Sequence, residues 1–478
     1  MNSSAQSGEE TPHLTKKLGP WTLWGLGVGY VISGEYFGWN LGLPAGGTGG
    51  LLAAFFLVTL MYIAFVLSYA ELACAIPKAG GGFVYALRGL GHFGGFITGV
   101  AQLLEFVFAP PAIAMALGAY VSTKWPEVDV KFVAVCALTL FTALNLWGVK
   151  QTALFELAIT ILAVGELLLF MGITVPHVRI EHLVTNAWPK GWTGLFPALP
   201  FAVWFYLAIE GVANAAEEAR NPQRDVLVGF GSALATLVVL ATGVLICSVG
   251  VGGWERVVWA PENLAVVNGQ VEVTTDAAAL DKPLPLALSQ VLPTGHFLFQ
   301  LLISVGGLGL VCSLNGILFA AGRATFEMGR AGYLPAGLSR IHNRTHTPWV
   351  ALTANWVIGV ACILMFDTGE LIIISAMAAV LLYILSMESL VRLRIAEPDL
   401  PRPYRTPFCP WTPRFAQGLA LLILFAMLWE NLSGPTPWTS TSMKFLACLV
   451  FATGYFFGVI APKLRAVPTP QLADDAAL

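Results

Sequence analysis

Apolar residues occur in this chain as long blocks separated by short polar segments. A block of about 20 residues has the length that a helix needs to cross the hydrocarbon core of a bilayer. Because lipid offers no hydrogen-bond partners, a crossing backbone must satisfy its own polar groups, which favours helices. The pattern predicts an all-α polytopic membrane protein with twelve transmembrane helices. The predicted spans are 20–43, 51–76, 92–121, 132–148, 153–175, 195–217, 226–251, 296–322, 348–366, 371–391, 415–430 and 443–461.

Composition supports the same class of protein. Of the 478 residues, 56% are hydrophobic and 11% are charged, against about 45–50% and about 25% in soluble chains. The net charge is −3 and there is no long basic run, which excludes nucleic acid as a partner and leaves the lipid bilayer as the main one. The seven cysteines are scattered singly, a distribution that predicts no metal site.

Lysine and arginine are distributed unevenly between the connecting segments. Eighteen of the 25 fall on the side of the N-terminus and seven on the other side. Since positively charged loops stay in the cytoplasm, both termini are expected there. The predicted regions are a cytoplasmic tail 1–17, a ten-helix transport core 18–395, a cytoplasmic Pro/Arg loop 396–414, a terminal helix pair 415–461 and a cytoplasmic tail 462–478.

Two spans contain residues that interrupt a helix. Span 1 carries six glycines between positions 25 and 42, with residues 33–35 at its mid-depth. Span 6 begins with Pro197 and Pro200 and leads through an aromatic run to Glu210. Close helix packing through small residues is the alternative explanation for span 1. Because spans 1 and 6 open the two halves of a possible five-plus-five repeat, interruptions at matching positions indicate a substrate site at the membrane midplane.

Four acidic residues lie deep in the predicted spans: Glu35, Glu105, Glu166 and Glu210. An ionisable side chain at such depth costs about 2.5–3.5 kcal/mol on the insertion scale, so each is a functional candidate. No lysine or arginine lies at comparable depth. An acidic interior without a basic counterpart indicates a cationic substrate, a proton-carrying carboxyl group, or both. For Glu105 and Glu166, a neutral hydrogen-bonded carboxylic acid at a helix interface is the structural alternative.

Other polar residues favour structural roles or exclude classes. Glu71 is expected to pair with basic loops, and Glu156 to lie in the first turn of span 5, where it meets the helix dipole favourably. Ser33 has no nearby base for nucleophilic catalysis, and no phosphate-binding glycine motif with lysine occurs. The sequence therefore predicts neither an enzyme nor an ATP-driven pump, and no cofactor.

Three motifs resemble the amino acid, polyamine and organocation superfamily. They are residues 33–37, residues 204–210 and the Glu-x-x-x-Asn-Pro-x-Arg run at 217–224. The similarity covers nearly the whole chain, including the turn at 148–150 and the end of span 8 at 322–323. The resemblance implies an inverted five-plus-five repeat with broken helices 1 and 6, two additional terminal helices, and secondary active transport by alternating access.

More narrowly, residues 32–40 and 45–50 look like the ethanolamine permease branch. Ser33 and Glu35 stand where amino-acid-transporting relatives have two glycines, whose backbone N–H groups hold the substrate carboxylate. Here Glu35 supplies a carboxylate of its own, which the positive end of a half-helix would keep ionised. Ethanolamine is the amine of an amino acid without its carboxylate. The resemblance thus implies a bacterial inner-membrane permease that imports ethanolamine, with Glu35 as counter-ion.

The resemblance also implies roles for individual residues. Trp204 resembles the aromatic gate over the site, the stretch 206–208 would be the unwound part of span 6, and Ala208 replaces a common glycine. Ser33 and Asn315 are candidate partners of the substrate hydroxyl. The implied substrate-binding set is Ser33, Gly34, Glu35, Trp204, Tyr206, Leu207, Ala208 and Asn315.

Coupling is expected to use a proton in preference to sodium, by symport, with Glu105, Glu166 and Glu210 as candidate carriers. Some proton-coupled relatives place a lysine in span 5 where this chain aligns Ala163, so exchange stays open as an alternative. An amino acid or polyamine permease of the same fold is the second hypothesis, with Glu105 as a second acidic subsite for a polyamine. A receptor or channel without accumulation is the third.

Overall fold

The computed structural model describes residues 18–78, 80–148, 153–214, 219–267, 270–274, 277–434 and 437–466. Within these residues, eight helices are long and apolar enough to cross a membrane, and two shorter apolar helices cover Val130–Leu146 and Trp349–Met365. The protein is a helical polytopic membrane protein, as predicted. The count of twelve spans and the division into regions stay predictions. The tails 1–17 and 467–478, and parts of the motifs at 148–150 and 217–224, lie outside the described residues.

The α-helices are numbered in chain order. They are α1 Pro20–Val31, α2 Ser33–Tyr36, α3 Leu43–Ala75, α4 Gly81–Lys124, α5 Val130–Leu146, α6 Ala153–Thr174, α7 Ile180–Val184, α8 Leu195–Trp204, α9 Gly211–Asn214, α10 Pro222–Gly250, α11 Pro283–Ser289, α12 Phe297–Arg330, α13 Trp349–Met365, α14 Thr368–Ala396, α15 Trp411–Leu432, α16 Thr441–Tyr455 and α17 Ala461–Ala466. A 3-10 turn spans Trp39–Gly42, and Phe456–Ile460 forms a π-helical turn.

The core lies around the interrupted segments. α1 packs against α6, α10 and α12, while α14 packs against α4, α8 and α15. The outer helices expose large apolar side chains such as Phe132, Trp429 and Phe451, which is the expected composition of a lipid-facing surface.

Two glycines divide long helical runs at the predicted boundaries between spans. Gly47 in α3 has a φ of 61° and Gly91 in α4 has a φ of 76°. Side chains rarely adopt this left-handed conformation, whereas glycine adopts it freely. A Cβ on Gly47 would also collide with the carbonyl group of Ala187. These kinks separate the outer end of span 1 from span 2, and a short helix 81–90 from span 3.

The predicted interruption of span 6 is present. α8 ends at Trp204, residues 205–210 form consecutive turns, and α9 begins at Gly211. Ala208, in the middle of these turns, has a φ of 71°. A non-glycine residue in this region is strained, so the turn is held by its surroundings.

Span 1 is interrupted later than predicted. The helix only kinks at Ile32 and continues through Ser33–Tyr36, because the N–H of Glu35 donates to the carbonyl of Ile32 at 3.1 Å. The chain becomes extended at Phe37 and left-handed at Gly38, with a φ of 91°. Glu35 therefore lies at the end of the first half of the span. Glu35 lies in the first turn of the four-residue helix α2, and the expected effect of a helix N-terminus on its charge stays a prediction.

The connecting segments contain two features that position the core. Between α10 and α12, strands β1 Leu264–Val267 and β2 Gln270–Val273 pair in antiparallel orientation. Near the C-terminal end of α14, the carboxylate of Glu71 accepts hydrogen bonds from the guanidinium group of Arg394 and from the N–H of Thr406, and it forms an ion pair with Arg402. The predicted pairing of Glu71 with a basic loop is confirmed.

Candidate functional site

Glu35 is the most isolated charged group of the interior. Its side chain is 0% exposed, and neither carboxylate oxygen has a hydrogen-bond partner among the described residues. An ionised carboxylate buried without a partner is strongly unfavourable. The position therefore calls for a positive group or a proton at Glu35.

The two interrupted spans touch through main-chain atoms beside Glu35. A Cβ on Gly34 would lie 2.5 Å from the carbonyl oxygen of Trp204, and one on Gly38 would lie 2.6 Å from the indole ring of Trp204. Only glycine allows this approach at either position. The indole N–H of Trp204 is buried and has no partner within the described ranges. The junction thus offers an acceptor, Glu35, and a donor, Trp204.

Ser313 of α12 holds the kink of span 1. Its hydroxyl donates to the carbonyl of Gly29 at 2.7 Å and accepts from the N–H of Ser33 at 3.0 Å. The side-chain oxygen Oδ1 of Asn315, two residues later, accepts from Nδ2 of Asn145 on α5 at 2.8 Å. Sequence reasoning singled out Asn315 and missed Ser313. A small polar residue inside an apolar span was the available signal.

The turns of span 6 carry a second acidic group. The N–H of Ala208 donates to Oε1 of Glu105 at 3.1 Å, and the hydroxyl of Tyr383 donates to Oε2 of Glu210 at 2.9 Å. The other oxygens, Oε2 of Glu105 and Oε1 of Glu210, are buried without a hydrogen-bond partner among the described residues. The hydroxyl groups of Tyr62 and Tyr383 are 3.2 Å apart. This arrangement joins α3, α4 and α14 to the interruption.

The remaining predicted residues of span 6 line the same turns. The hydroxyl of Tyr206 lies 2.8 Å from that of Thr59 on α3. The carbonyl groups of Tyr206 and Ala208 accept backbone N–H groups of Ile209 and Gly211 at 3.3 and 3.0 Å. Each carbonyl has a second lone pair, so these bonds leave the predicted contact with a substrate amine feasible. Leu207 is buried between them.

Glu166 of α6 lies next to span 1 and apart from the span 6 turns. Its Oε2 accepts a 2.7 Å hydrogen bond from the hydroxyl of Tyr36, the residue after Glu35. Among the described residues, no group of three or more His, Cys, Asp or Glu side chains is arranged to hold a metal ion.

Two interrupted spans that meet at a buried carboxylate, within a bundle of apolar helices, define a membrane transporter. Residues 18–453 match the family described as amino acid permease. The chain belongs to the amino acid permease family, and through it to the amino acid, polyamine and organocation superfamily. The protein is a transporter and not an enzyme.

Three relatives illustrate the range of the family. An uncharacterized transporter of Rhizobium meliloti is 28% identical, covering 85% of this chain and 86% of the relative. The branched-chain amino acid permease of Bacillus subtilis is 26% identical, covering 90% and 91%. The methylthioribose transporter of the same organism is 25% identical, covering 89% and 90%.

One solved structure shows the fold. The crystal structure of a mutant of the Eremococcus coleocola manganese transporter superposes with a TM-score of 0.57 at 14% identity. The match covers 96% of this chain and 97% of that chain. At this identity the likeness establishes the shared architecture and nothing about the substrate.

Proposed function

We propose that this permease imports a small molecule with a primary ammonium group and that Glu35 binds this group. The observation that carries the proposal is the pair of unpartnered, fully buried oxygens of Glu35 at the junction of the interrupted spans. An ammonium group would supply three donors and a positive charge at that point. Binding would thus remove the penalty of a buried, unpaired carboxylate.

The rest of the substrate is inferred from the groups around Glu35. Trp204, which belongs to the same junction, offers one unpartnered N–H donor, so the junction would match an ammonium group and a hydroxyl on the same small molecule. A second carboxylate would be repelled by Glu35 and would meet a single indole donor. We therefore propose ethanolamine, or a close amino alcohol, as the first substrate to test.

An amino acid is the second candidate, and the relatives favour it. One is named a branched-chain amino acid permease and another a cationic amino acid transporter. Either substrate presents the ammonium group that Glu35 would bind. A polyamine would use the acidic pair Glu105 and Glu210 as its second subsite.

We further propose the transport mode and setting. The permease would lie in a bacterial inner membrane with twelve spans and both termini in the cytoplasm, and would work as a proton symporter in preference to using sodium. One relative is named an aspartate-proton symporter. Glu105, Glu166 and Glu210 are the proposed proton carriers, and the contacts of Ser33, Gly34, Tyr206, Leu207 and Ala208 would shape the site.

The experiment that tests the substrate is uptake into proteoliposomes that contain the purified protein. Radiolabelled ethanolamine is competed separately with unlabelled ethanolamine, alanine and putrescine. Block by ethanolamine and not by alanine supports the amino alcohol. If alanine inhibits the uptake equally well, the substrate class is amino acids. If putrescine inhibits it, the substrate class is polyamines.

The role of Glu35 is tested by substitution. Glu35→Gln keeps the shape of the side chain and removes its charge, so we expect uptake of every ammonium substrate to be lost while folded protein stays in the membrane. Glu397→Gln is the matched control, because Glu397 pairs with Arg88 at an exposed position. Normal uptake by Glu35→Gln would overturn the proposal.

A further inference from the structure

The turn of residues 340–347, which leads from α12 to α13, carries basic side chains without acidic partners. Arg340 and Arg344 are exposed, and neither takes part in the ion pairs among the described residues. From residue 328 to residue 366 the sequence contains three arginines and two histidines but no aspartate or glutamate. The positive charge of this turn is therefore not neutralised by its neighbours in the chain.

Hydrogen bonds fix the shape of this turn against the end of α5. The N–H of His342 donates to the carbonyl of Thr347 at 2.9 Å, and the hydroxyl of Thr347 donates to the carbonyl of Leu146 at 3.2 Å. Gly148 packs so closely on the turn that an added Cβ would lie 2.8 Å from the carbonyl oxygen of Thr345. The backbone that carries the two arginines is therefore held in place.

His342 adds a further hydrogen-bond donor to the turn. Its Nδ1 accepts from the backbone N–H of Thr345 at 3.3 Å, so the ring proton resides on Nε2. The side chain is exposed. Directly after the turn, α13 begins at Trp349 with no acidic residue in its first turn and no side-chain cap, which leaves the positive end of its dipole unmatched. Guanidinium groups and N–H donors in one place have the chemistry of a phosphate-binding site.

Exposed apolar side chains adjoin the same turn. Trp147 at the end of α5 is 76% exposed, Trp349 at the start of α13 is 42% exposed, and Ile341 in the turn itself is 50% exposed. The two helices pack side by side and expose further apolar residues, among them Leu140 and Val357. Tryptophan is enriched where helices leave the hydrocarbon core of a bilayer. These features are the ones expected at the level of lipid headgroups, with apolar helix faces beside them for acyl chains.

We propose that this turn binds the phosphate group of an anionic phospholipid through Arg340, His342 and Arg344, while Trp147 and Trp349 contact the apolar part of the same lipid. A zwitterionic lipid would bring a positive headgroup towards the two arginines, whereas phosphatidylglycerol brings only a negative charge. A free phosphate ion would gain nothing from the exposed indole rings, so the apolar neighbours favour a lipid. The lipid site is independent of the proposed substrate of the permease.

The test is lipid binding to the purified, delipidated protein in detergent, followed by native mass spectrometry during titration with phosphatidylglycerol or phosphatidylcholine. Each basic side chain strengthens binding to an anionic lipid surface about fivefold. The double variant Arg340→Gln, Arg344→Gln should therefore bind phosphatidylglycerol about 25-fold more weakly than wild type. Lysine at both positions keeps the charge and should retain most of the affinity. The matched control is Arg179→Gln with Lys190→Gln, which removes two exposed positive charges between α6 and α8 and should leave the affinity unchanged.

Two further measurements distinguish a lipid from a soluble phosphate. Trp147→Ala removes an exposed ring and should weaken phosphatidylglycerol binding severalfold. Glycerol 1-phosphate, which has the phosphate but no acyl chains, should not displace the lipid. Displacement by glycerol 1-phosphate would overturn the lipid site in favour of a soluble phosphate. Equal affinities of wild type for the two lipids, or unchanged phosphatidylglycerol binding by the Arg340→Gln, Arg344→Gln protein, would overturn the site altogether.

Discussion

The backbone N–H of Ala208 donates a 3.1 Å hydrogen bond to Oε1 of Glu105 from a left-handed conformation with a φ of 71°. The strained residue Ala208 thus connects the interruption of span 6 to an acidic side chain of α4. The bond helps to hold the strain, because a buried N–H without a partner would be unfavourable.

Ala208→Gly should stabilise the protein by about 1 kcal/mol, because glycine adopts a positive φ without the clash of a Cβ. Thermal unfolding in detergent, followed by size-exclusion fluorescence, measures the effect. Ala202→Gly is the matched control: it lies buried in α8, where glycine costs about 1 kcal/mol. A lower melting temperature for Ala208→Gly would contradict the strain at this position.

Gly38→Ala should abolish uptake, since the new Cβ would lie 2.6 Å from the indole ring of Trp204 and would strain a φ of 91°. Gly332→Ala separates the backbone strain from the collision with Trp204. Gly332 has a φ of 78° and nothing within 4 Å of the added carbon. Its substitution therefore causes backbone strain without a collision, at a cost of about 1 kcal/mol. Uptake assays on both variants at equal expression test the prediction. Equal activities would show that the contact with Trp204 is dispensable.

Ser313→Ala should lower uptake severalfold, because the hydroxyl of Ser313 bridges Gly29 and Ser33 at the kink before Glu35. Asn315→Ala removes a bond to Asn145 on α5 instead and should affect stability more than substrate affinity. Uptake kinetics and melting temperature are measured for both variants. A larger loss of affinity in Asn315→Ala would return that residue to the substrate site.

Asp281 gives the segment between α10 and α12 a pH-dependent contact. Its Oδ2 accepts from the hydroxyl of Thr368 at 2.5 Å. Burial and the neighbouring charge of Asp367 raise the pKa of Asp281 to about 6, against the bond to Thr368. The folded state therefore binds this proton more tightly than the unfolded state. The resulting stabilisation is present at low pH and is lost as the pH rises through about 6.

Asp281→Asn should accordingly melt at a higher temperature than wild type at neutral pH, with the difference vanishing below the ordinary pKa of aspartate, about 4. Melting curves over a pH series measure it. Glu262→Gln, at an exposed position of the same segment, controls for loss of one negative charge. A constant difference at every pH would rule out titration of Asp281 as the cause.

Glu71→Gln should destabilise the protein by about 3–5 kcal/mol, since it leaves buried guanidinium charge without its partner. Arg402 is 5% exposed and lies 3.3 Å from Glu71. Glu388→Gln breaks pairs with the more exposed Arg392 and Arg414, worth about 0–1 kcal/mol. Thermal unfolding compares the two variants. Similar losses in both would show that burial adds nothing at Glu71.

The helical architecture and the interruption of span 6 could be predicted because they depend on local sequence: long apolar blocks and two prolines before an aromatic run. The deep position of Glu35 followed from its place in span 1. The exact interruption of span 1 did not, because Gly34 and Gly38 are equally permissive alone. Both glycines pack against Trp204, which is distant in sequence, and such tertiary contacts cannot be derived from the local sequence.

The partners of α12 were beyond the sequence for a related reason. Ser313 and Asn315 are both small polar residues in one apolar span, and a rotation of the helix decides which faces span 1. That rotation is set by packing, including the contact of the Tyr36 ring with Gly306 and Gly309 of α12. The strand pair β1–β2 was not predicted, although its pairing is local to the segment between α10 and α12.

The ion cluster at Glu71 ties α3 to the end of α14 and to the loop that precedes α15. Lipid tails are as apolar as the side chains of the helices, so no hydrophobic driving force brings helices together inside the bilayer. Apolar contact alone therefore holds neighbouring helices weakly. Arg394, in the last turn of α14, and Arg402, in the loop that leads to α15, both pair with Glu71 of α3. The side chain of Gln417 on α15 also donates to the carbonyl of Ile384. These polar bonds add directional attachment to the apolar packing of α15 against α3 and α14. A chain cut before α15 would therefore keep the Glu71 cluster and lose the bond of Gln417 together with part of the buried core.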